Sequence, residues 1–533
     1  MRNLNQILLC ILSSTLFFLS WPPNGFPFLI FFSFIPLFKI IKNFSYQVKK
    51  ANLKLFLILF FNFLLTNFLL CYWVIKTNVF GGIFASFYNA FFMALVLLLS
   101  SIIKKKYGEK HFYISLIIFW ISIVEFPHLN WDFSWPWLIL GNVFSNSIYL
   151  IQWYEYTGVF GGSLWILLSN VIIYNLIDQD SFKFNSGNFF KILVIILPVI
   201  FSQLIINFKN FKDLNINDSN NEIKISIVQP NFDCYTEKFQ LSQDIQFDRV
   251  DSLINIDRNF NAKLTLLPEN FLKKWMWESR LMEFKIINRI DSLLKKKPTM
   301  FLLTGATTAQ IYKGKNKYKY SVRNKNNIFF EVFNSSILFS KNIPHQIYRK
   351  SKLIPGAETI PYPNIFSPIF DRFPIKIDNQ IGNFGRNDSI SNFYTDIGIF
   401  SSIICYESIY GEYVSKFVKK GANWITIITN DGWWGDSYGY SQHFAYSRLR
   451  ALENRKFLVR SANTGISAVI NPFGEILDSL SYNKSGIINT NIYKNSKITF
   501  YTMYGDYVAR ISILLSLVYF INFFINFKKK KLN

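Results

Sequence analysis

Long apolar runs are the feature that most constrains the fold of this 533-residue chain. They fill most of residues 1–207 and return at 508–527, whereas 208–505 has the mixed composition of an ordinary water-facing domain. Only 17% of the residues are charged, against roughly 25% in soluble proteins. This pattern excludes a simple soluble enzyme, a disordered chain and a disulfide-stapled secreted module. It predicts a multi-pass membrane protein that carries one sizeable water-facing domain.

The apolar runs supply about eight candidate membrane-spanning helices, since a span needs roughly 20 apolar residues. The expected spans are 6–20, 26–41, 55–75, 79–103, 112–126, 148–176, 191–207 and 508–527. We therefore expect an α-helical membrane domain with seven spans over 1–207 and a water-facing α/β domain over 208–505. A last span and a basic tail follow over 506–533.

Lysines in the connecting loops predict the orientation. With a cytoplasmic N-terminus, the inward loops and the tail carry Lys42, Lys49, Lys50, Lys54, Lys104, Lys105, Lys106, Lys110, Lys183, Lys191 and Lys528 to Lys531. The short outward loops, 21–25, 76–78 and 127–147, contain only Lys76. The positive-inside rule then places both termini in the cytoplasm and 208–505 outside it. The expected location is the bacterial inner membrane, with a periplasmic domain.

The net charge of +24 admits two interpretations. A basic surface attracts anionic lipid headgroups, at about 1 kcal/mol per basic residue, but an AT-rich genome also enriches a chain in Lys, Asn, Ile and Phe. The chain has no compact basic motif for reading bases, which argues against nucleic-acid binding. Its four cysteines and four histidines include no C-x-x-C or H-x-x-x-H pair, so no metal is expected. We expect no nucleotide cofactor, because no Walker loop or dinucleotide fingerprint occurs.

Short apolar strands alternate with polar helical stretches from residue 223 onward. The expected strands are Ile223–Gln229, Leu264–Leu267, Met300–Leu303, Val332–Phe339, Gly398–Cys405, Trp424–Thr429, Phe457–Ser461 and Ser467–Ile470. The expected helices lie near 240–258, 278–297, 411–420 and 441–456. This alternation predicts a layered α/β domain. Segments 312–327 and 376–395 are predicted to be exposed loops.

Three strand ends carry residues that are capable of catalysis: Glu269, Lys350 and Cys405. A carboxylate can act as a general base, and an ammonium can stabilise an oxyanion. A thiolate is favoured before a helix N-terminus, which lowers a thiol pKa, and a helix is expected near 411–420. Taken singly, each residue has a more ordinary explanation: a solvated cap, a charged surface run or a packing cysteine.

In this order, Glu269, Lys350 and Cys405 resemble the Glu–Lys–Cys triad of the nitrilase, or carbon–nitrogen hydrolase, superfamily. The resemblance continues through Val228–Asn231, Trp424–Gly435, Gln442-His443, Arg448–Glu453 and Arg460–Ser467. With seven expected spans before the domain, one after it and the outer-loop motif Trp135-Pro136-Trp137, the chain resembles the bacterial apolipoprotein N-acyltransferase family over nearly its whole length.

The resemblance implies an αββα-sandwich domain on the periplasmic face of the inner membrane. It also implies transfer of an acyl chain from a phosphatidylethanolamine-like phospholipid to the α-amino group of a lipoprotein's diacylglyceryl-cysteine. In these terms Cys405 is the nucleophile that forms a thioester, Glu269 is the general base and Lys350 stabilises the oxyanion. Three supporting residues are also implied: Glu358, Tyr406 and Glu407. The implied partners are the phospholipid donor, the apolipoproteins and membrane lipids, with no cofactor.

The chain departs from the family pattern in two places. The family often has Phe-Gly-Glu where this sequence has Gly356-Ala357-Glu358, so the glutamate is kept but the turn differs. An indole often found beyond the first strand is absent, and the nearest aromatic residues are Tyr235 and Phe239. Either could take the place of that indole.

Three alternatives stay open at the level of sequence. The first is a membrane-tethered amidase of the nitrilase type that hydrolyses a periplasmic amide. The second is a scaffold or transporter that only binds lipoproteins. The third is a mechanistic variant in which His443 and Cys405 form the catalytic dyad. Acyl transfer by a ping-pong cycle is favoured, because a thioester needs shielding from water and both substrates are anchored in lipid.

Overall fold

The structure is a computed structural model that describes residues 2–47, 49–178, 186–208, 219–257, 259–315, 320–366, 383–387 and 389–532. The chain divides into two compact units. The first unit comprises Met1–Phe208 and Tyr504–Asn533, and the second comprises Lys209–Met503.

The first unit consists of apolar helices. Its α-helices are Arg2–Ser20, Ile35–Asn43, Ala51–Cys71, Val74–Thr77, Val79–Tyr107, Glu109–Phe119, Tyr154–Ile177, Ser186–Phe208 and Tyr507–Leu532. Within the described residues, five segments are long and apolar enough to cross a membrane: Ala51–Cys71, Val79–Tyr107, Glu109–Leu129, Tyr154–Ile177 and Ser186–Phe208. Leu4–Ser20 and Tyr507–Asn522 are shorter apolar helices. The unit is that of a membrane protein.

Proline divides one of the expected spans. The run at 26–41 forms a 3-10 helix, Pro27–Phe32, and then an α-helix, Ile35–Asn43. Pro36 lies in the first turn of the second helix, where the missing N–H costs no hydrogen bond. In one continuous helix over 26–41 it would lie in the interior, where a proline breaks the helix. The expected spans at 55–75, 79–103, 112–126, 148–176 and 191–207 each overlap one of the five long segments.

The second unit contains two β-sheets. Its strands are β1 Glu222–Gln229, β2 Leu264–Leu266, β3 Leu272–Trp277, β4 Phe301–Ile311, β5 Val322–Lys325, β6 Ile328–Phe339, β7 Gln346–Arg349, β8 Phe393–Thr395, β9 Gly398–Ile404, β10 Trp424–Thr429, β11 Leu458–Ala462, β12 Ser467–Ile470, β13 Ile476–Leu480 and β14 Gly486–Tyr493. The larger sheet has the order β14-β1-β2-β4-β6-β5, with β3 paired to β4 and β7 to β6. The smaller sheet has the order β13-β12-β11-β10-β9-β8.

Helices cover the outer face of each sheet. The α-helices of this unit are Glu237–Gln240, Gln243–Ile254, Lys285–Lys296, Gly411–Lys419, Tyr438–Asn454 and Phe500–Tyr504. Gln243–Ile254 and Lys285–Lys296 share a buried apolar core with the larger sheet. Gly411–Lys419 and Tyr438–Asn454 pack on the smaller sheet. The sheets face each other, and Ser461 Oγ of β11 donates to Val228 O of β1 at 2.9 Å. The unit is therefore an αββα sandwich.

Parallel strands bring the expected site residues to corresponding edges of the two sheets. Strands β1, β2 and β4 run parallel in the larger sheet, and β9, β10 and β11 run parallel in the smaller one. Side chains that follow the carboxyl ends of neighbouring parallel strands meet at one edge. Glu269 lies just beyond β2, and Cys405 lies directly after β9.

Each expected strand overlaps an observed one, but the two predicted loops are not wholly irregular. Segment 312–327 contains the hairpin strand β5, and segment 376–395 ends in β8. Residues 376–382 lie outside the described residues. Both strands are only three or four residues long. Within polar segments, such short strands do not produce a recognisable strand pattern.

Candidate active site

Glu269 lies in the turn after β2, and this turn packs tightly on β4. A Cβ atom added to Gly305 of β4 would lie 2.6 Å from Glu269 Cα and 2.5 Å from Asn270 N, so only glycine permits this approach. Asn270 has a φ of 52°, a left-handed conformation that asparagine tolerates better than most residues. Glu269 is 4% exposed. The tight turn thus holds its carboxylate inside the domain.

Lys350, directly after β7, lies between two carboxylates. Its side chain is fully buried, and Nζ donates to Glu358 Oε1 at 2.9 Å and to Glu269 Oε1 at 3.4 Å. Asn334 Nδ2 of β6 donates to the same two oxygens, at 3.0 Å and 2.8 Å respectively. Burial alone would lower the pKa of Lys350, but Glu358 and Glu269 outweigh it and raise the pKa above the usual lysine value. The ammonium is therefore kept charged.

The departure at Gly356-Ala357-Glu358 forms a turn that serves the same cluster. Gly356 has a φ of 78°, in the left-handed region that favours glycine. Ile354 N donates to Glu358 Oε2 at 2.9 Å, which fixes the carboxylate in the direction of Lys350. The altered turn still delivers the glutamate to the lysine.

Cys405 directly follows β9, and its backbone is strained. Its φ is 49°, a left-handed conformation that costs an L-residue about 1 kcal/mol. The residue is 5% exposed. Burial and the charge of Glu269 raise the pKa of the thiol, and the opposing effect of Lys350 does not cancel them. The sequence-based expectation of a lowered thiol pKa was wrong, because burial and the Glu269 charge outweigh the Lys350 ammonium. The thiol needs a base to become a nucleophile.

Glu407 fixes the main chain on both sides of the site. It is fully buried, and burial raises its pKa, although backbone hydrogen bonds oppose this effect. Its Oε1 accepts from Ser351 N at 2.7 Å and from Lys352 N at 3.2 Å. Its Oε2 accepts from Ile404 N at 2.9 Å, and Tyr348 Oη donates to Oε1 at 2.7 Å. One carboxylate thus connects the segments that carry the lysine and the cysteine.

A second buried polar network lies behind Cys405. Asp431 Oδ1 lies 2.9 Å from His443 Nδ1, and Arg460 Nη2 donates to Asp431 Oδ2. His443 Nε2 lies 2.9 Å from Ser408 Oγ and 3.2 Å from the main-chain oxygen of Cys405. Burial would raise the pKa of Asp431, but Arg460 and His443 lower it to about 2. Burial lowers the pKa of His443 despite the nearby carboxylate. The imidazole therefore supports the main chain of the cysteine.

This network also has the composition of a small metal site. Cys405, Asp431 and His443 each offer a ligand atom, and the three atoms lie within 4.8 Å of one another. Both ring nitrogens of His443 and both oxygens of Asp431 already have hydrogen-bond partners in the protein. The donor set is used by the hydrogen-bond network.

The remaining expected residues surround this arrangement. Tyr406 is 3% exposed, and its ring lies edge-on to that of Tyr410 at 5.5 Å. Tyr235 is half exposed, and its hydroxyl donates to Trp433 O at 2.7 Å. The two rings lie edge-on at 5.8 Å, so Tyr235 contacts an indole supplied from elsewhere in the chain. The side chain of Phe239 lies outside the described residues.

Sequence reasoning missed Asn334 and Lys238. Asn334 bridges the two carboxylates described above, and its signal in the sequence is an amide inside the apolar run of β6. Lys238 is buried, and its Nζ donates to Glu269 O at 3.3 Å. Nothing in its polar local sequence indicates burial, so only the packing of the chain reveals it.

Known proteins share both units of this chain. The family profile described as carbon-nitrogen hydrolase matches residues 224–496, and the profile described as apolipoprotein N-acyltransferase N-terminal domain matches residues 13–172. The apolipoprotein N-acyltransferase of Chlorobaculum tepidum is 28% identical over 83% of this chain and 82% of its own length. That of Wigglesworthia glossinidia brevipalpis is 28% identical over 86% of each chain.

A similar solved structure is Saccharomyces cerevisiae Nit3, a member of branch 10 of the nitrilase superfamily. It has 16% sequence identity and a TM-score of 0.35, over 51% of this chain and 90% of its own. The hydrolase profile covers more than half of the present sequence. The chain therefore belongs to the carbon–nitrogen hydrolase family, and it has the domain composition of that family's apolipoprotein N-acyltransferase members.

Proposed function

We propose that this acyltransferase moves an acyl chain from a phosphatidylethanolamine-like phospholipid to the N-terminal α-amino group of the diacylglyceryl-cysteine of apolipoproteins. The observation that carries the proposal is the convergence of Glu269, Lys350 and the strained Cys405 in a chain that also has a unit of apolar helices. Apolar helices anchor the enzyme where two lipid-bearing substrates reside. The relatives named above support the choice of reaction.

The first half-reaction forms a thioester on Cys405. Glu269 takes the thiol proton, and the sulfur attacks the ester carbonyl carbon, so that a C–S bond forms and the carbonyl electron pair moves to oxygen. The Lys350 ammonium stabilises this oxyanion. When the intermediate collapses, the ester C–O bond breaks and the lysophospholipid leaves with the proton that Glu269 held.

The second half-reaction uses the same groups. The acceptor's amine nitrogen attacks the thioester carbonyl, Glu269 accepts one amine proton, and Lys350 stabilises the second oxyanion. A C–N bond forms, the C–S bond breaks, and the Cys405 thiolate recovers the proton from Glu269. One product leaves before the second substrate enters, as a ping-pong cycle requires.

The hydrogen bonds around Glu269 support its role as the base. Asn334 and Lys350 both donate to Oε1. Among the contacts of the described residues, Oε2 is therefore the oxygen that can take up a proton. The raised pKa of Cys405 fits a thiol that is deprotonated only during the reaction. Glu358, Tyr406 and Glu407 are proposed as supporting residues.

We assign the chain to the bacterial inner membrane, with both termini cytoplasmic and the domain 208–505 periplasmic. The lysine-rich loops support this orientation. A green fluorescent protein fused after Asn533 should fluoresce, because it folds in the cytoplasm, and alkaline phosphatase fused there should be inactive. The opposite pair of results would reverse the assignment.

The decisive experiment follows a labelled acyl chain. Purified protein is incubated with phosphatidylethanolamine that carries a labelled palmitoyl chain, and Cys405 is examined by mass spectrometry before and after addition of a diacylglyceryl lipopeptide. We expect a thioester on Cys405 and then transfer of the label to the lipopeptide amine. Release of free palmitate with an untouched lipopeptide would indicate a hydrolase instead.

Cys405→Ala is the matched control for this experiment. It removes the sulfur and leaves Glu269 and Lys350 in place. We expect no labelled enzyme and at least about 10³-fold less product, with an unchanged melting temperature and retained lipopeptide binding. Full transfer by this variant would contradict the thioester mechanism. His443→Ala tests the alternative in which His443 and Cys405 form the catalytic dyad. If that alternative holds, His443→Ala loses activity as completely as Glu269→Ala.

A further inference from the structure

Lys238 is a buried lysine that the mechanism above does not use. It lies in the short helix Glu237–Gln240 and is 2% exposed. Its Nζ donates to the main-chain oxygen of Glu269 at 3.3 Å. Among the described residues, no carboxylate lies within ion-pair distance of this nitrogen. A buried ammonium normally requires such a partner, because leaving water is costly for a charge. The position therefore calls for a functional explanation.

The main chain around Lys238 holds it in place. Lys238 N donates to Asp233 O at 2.8 Å. Gln246 Nε2 donates to Lys238 O at 2.7 Å, and Lys273 Nζ donates to the same oxygen at 3.2 Å. The segment is tied at both ends without any contribution from the Lys238 side chain. Its ammonium is therefore not needed to hold the helix.

The charges of the site explain why a second lysine lies there. Lys350 is shared by Glu269 and Glu358, so the cluster has one more carboxylate than ammonium groups. Burial lowers the pKa of Lys238 below the usual lysine value and the Lys273 ammonium acts in the same direction, whereas negative charge on Cys234, Glu269 and Cys405 opposes this shift. Such coupling is reciprocal: if a thiolate favours the ammonium, the ammonium favours the thiolate.

We propose that Lys238 is a second cation of the active site, which compensates the excess carboxylate of the triad cluster and stabilises the negative charge that forms on Cys405. The Lys238 ammonium lies on the side of the Glu269 turn, whereas Lys350 follows the end of β7. It makes proton transfer from sulfur to Glu269 less unfavourable. Lys238 is thus a charge-compensating residue for both half-reactions.

The test measures the reactivity of the Cys405 thiol in the full chain in detergent. Iodoacetamide reacts with the thiolate, so that a C–S bond forms and iodide leaves, and peptide mass spectrometry counts the product at Cys405 separately from Cys234. Below the thiol pKa the rate is proportional to the thiolate fraction. Lys238→Gln keeps a donor for Glu269 O but removes the charge. We expect about tenfold slower alkylation at a fixed alkaline pH.

Two further variants separate charge from structure. Gln246→Met removes a neutral side chain that ties the same segment through Lys238 O, and we expect alkylation within about twofold of the wild type because no charge changes. Lys238→Arg keeps the charge, and we expect most of the rate to return. The charged and titratable groups that face Cys405 and Lys238 stay unchanged apart from Lys238 itself: Glu269, Lys350, Asp431, His443, Cys234 and Lys273. Melting temperatures identify any variant that fails to fold, and Lys238→Met then replaces Lys238→Gln.

Wild-type alkylation rates in folded Lys238→Gln would overturn the proposal. Equal slowing in Gln246→Met would also overturn it, because the effect would then come from the segment and not from the charge. A Lys238→Arg variant as slow as Lys238→Gln would do the same. The inference deepens the proposed function, but iodoacetamide needs no acyl donor. The alkylation result therefore remains valid even if the labelled phospholipid fails to acylate the enzyme.

Discussion

Two buried polar clusters of the αββα domain approach Cys405, and they differ in how their carboxylates are bonded. In one, Asn334 and Lys350 both donate to a single oxygen of Glu269. In the other, both oxygens of Asp431 are engaged: Oδ1 accepts from Thr429 and lies 2.9 Å from His443 Nδ1, and Oδ2 accepts from Arg460. Within the part of the chain that the structure describes, Glu269 keeps an oxygen without a donor, whereas both oxygens of Asp431 have a partner.

The two carboxylates therefore have different roles, which their burial alone does not reveal. Glu269 and Asp431 are both buried beside the same cysteine. A carboxylate that must take up and return a proton needs an oxygen without a fixed donor. A carboxylate that positions neighbouring side chains is more effective when both of its oxygens are bonded. We therefore expect substitutions in the first cluster to affect chemistry, and those in the second to affect stability.

Glu269→Gln should have the largest effect of these substitutions. The amide keeps an oxygen for Asn334 and Lys350 but cannot accept the thiol proton. Removal of a general base typically slows a reaction by about 10²–10⁴-fold. The measurement is the rate of thioester formation on Cys405 from labelled phosphatidylethanolamine. Glu358→Gln is the same chemical change on the neighbouring carboxylate, and we expect roughly a tenfold loss from weaker positioning of Lys350. Equal losses would contradict the assignment of Glu269 as the base, because Glu358→Gln leaves Glu269 in place.

Asp431→Asn should affect stability, with a pH dependence whose sign is determined. The folded pKa of Asp431 is lowered from 3.8 to about 2. The carboxylate therefore stabilises the fold above pH 3.8 by about 2 kcal/mol, and this contribution is lost as the pH falls through 2. Melting temperatures in detergent should show a gap between wild type and variant that is widest at neutral pH and narrows in acid. The gap should narrow toward pH 2, because protonated Asp431 no longer pairs with Arg460, as in the variant. A constant gap would contradict the assignment.

Tyr348→Phe should have the smallest effect. It removes one of the hydrogen bonds to Glu407 Oε1, while Tyr413 Oη still donates to that oxygen at 3.2 Å. A single hydrogen bond contributes about 1 kcal/mol, so the melting temperature should fall slightly and activity only a few-fold. Tyr413→Phe is the matched control on the same oxygen. A loss of activity as large as that of Glu269→Gln would show that Tyr348 takes part in the chemistry.

Part of the site could be predicted from the sequence because its residues mark strand ends. Glu269 and Cys405 each follow an apolar strand, and the order of glutamate, lysine and cysteine points to one family. Five of the eight expected spans overlap helices that are long and apolar enough to cross a membrane, because apolar length identifies such segments. The direction of the thiol pKa could not be predicted in this way. It depends on burial and on Glu269, neither of which is visible in the sequence around residue 405.

The amino-acid sequence by itself determined the division into apolar helices and an α/β domain, since both follow from local hydrophobic patterns. Only the tertiary structure decided that Asn334 links two carboxylates, that His443 supports a main chain, and that Lys238 is buried beside Glu269. The physical reason is that hydrogen bonds and charge act over a few ångströms in space. Residues far apart in the chain share them only after the sheets have packed.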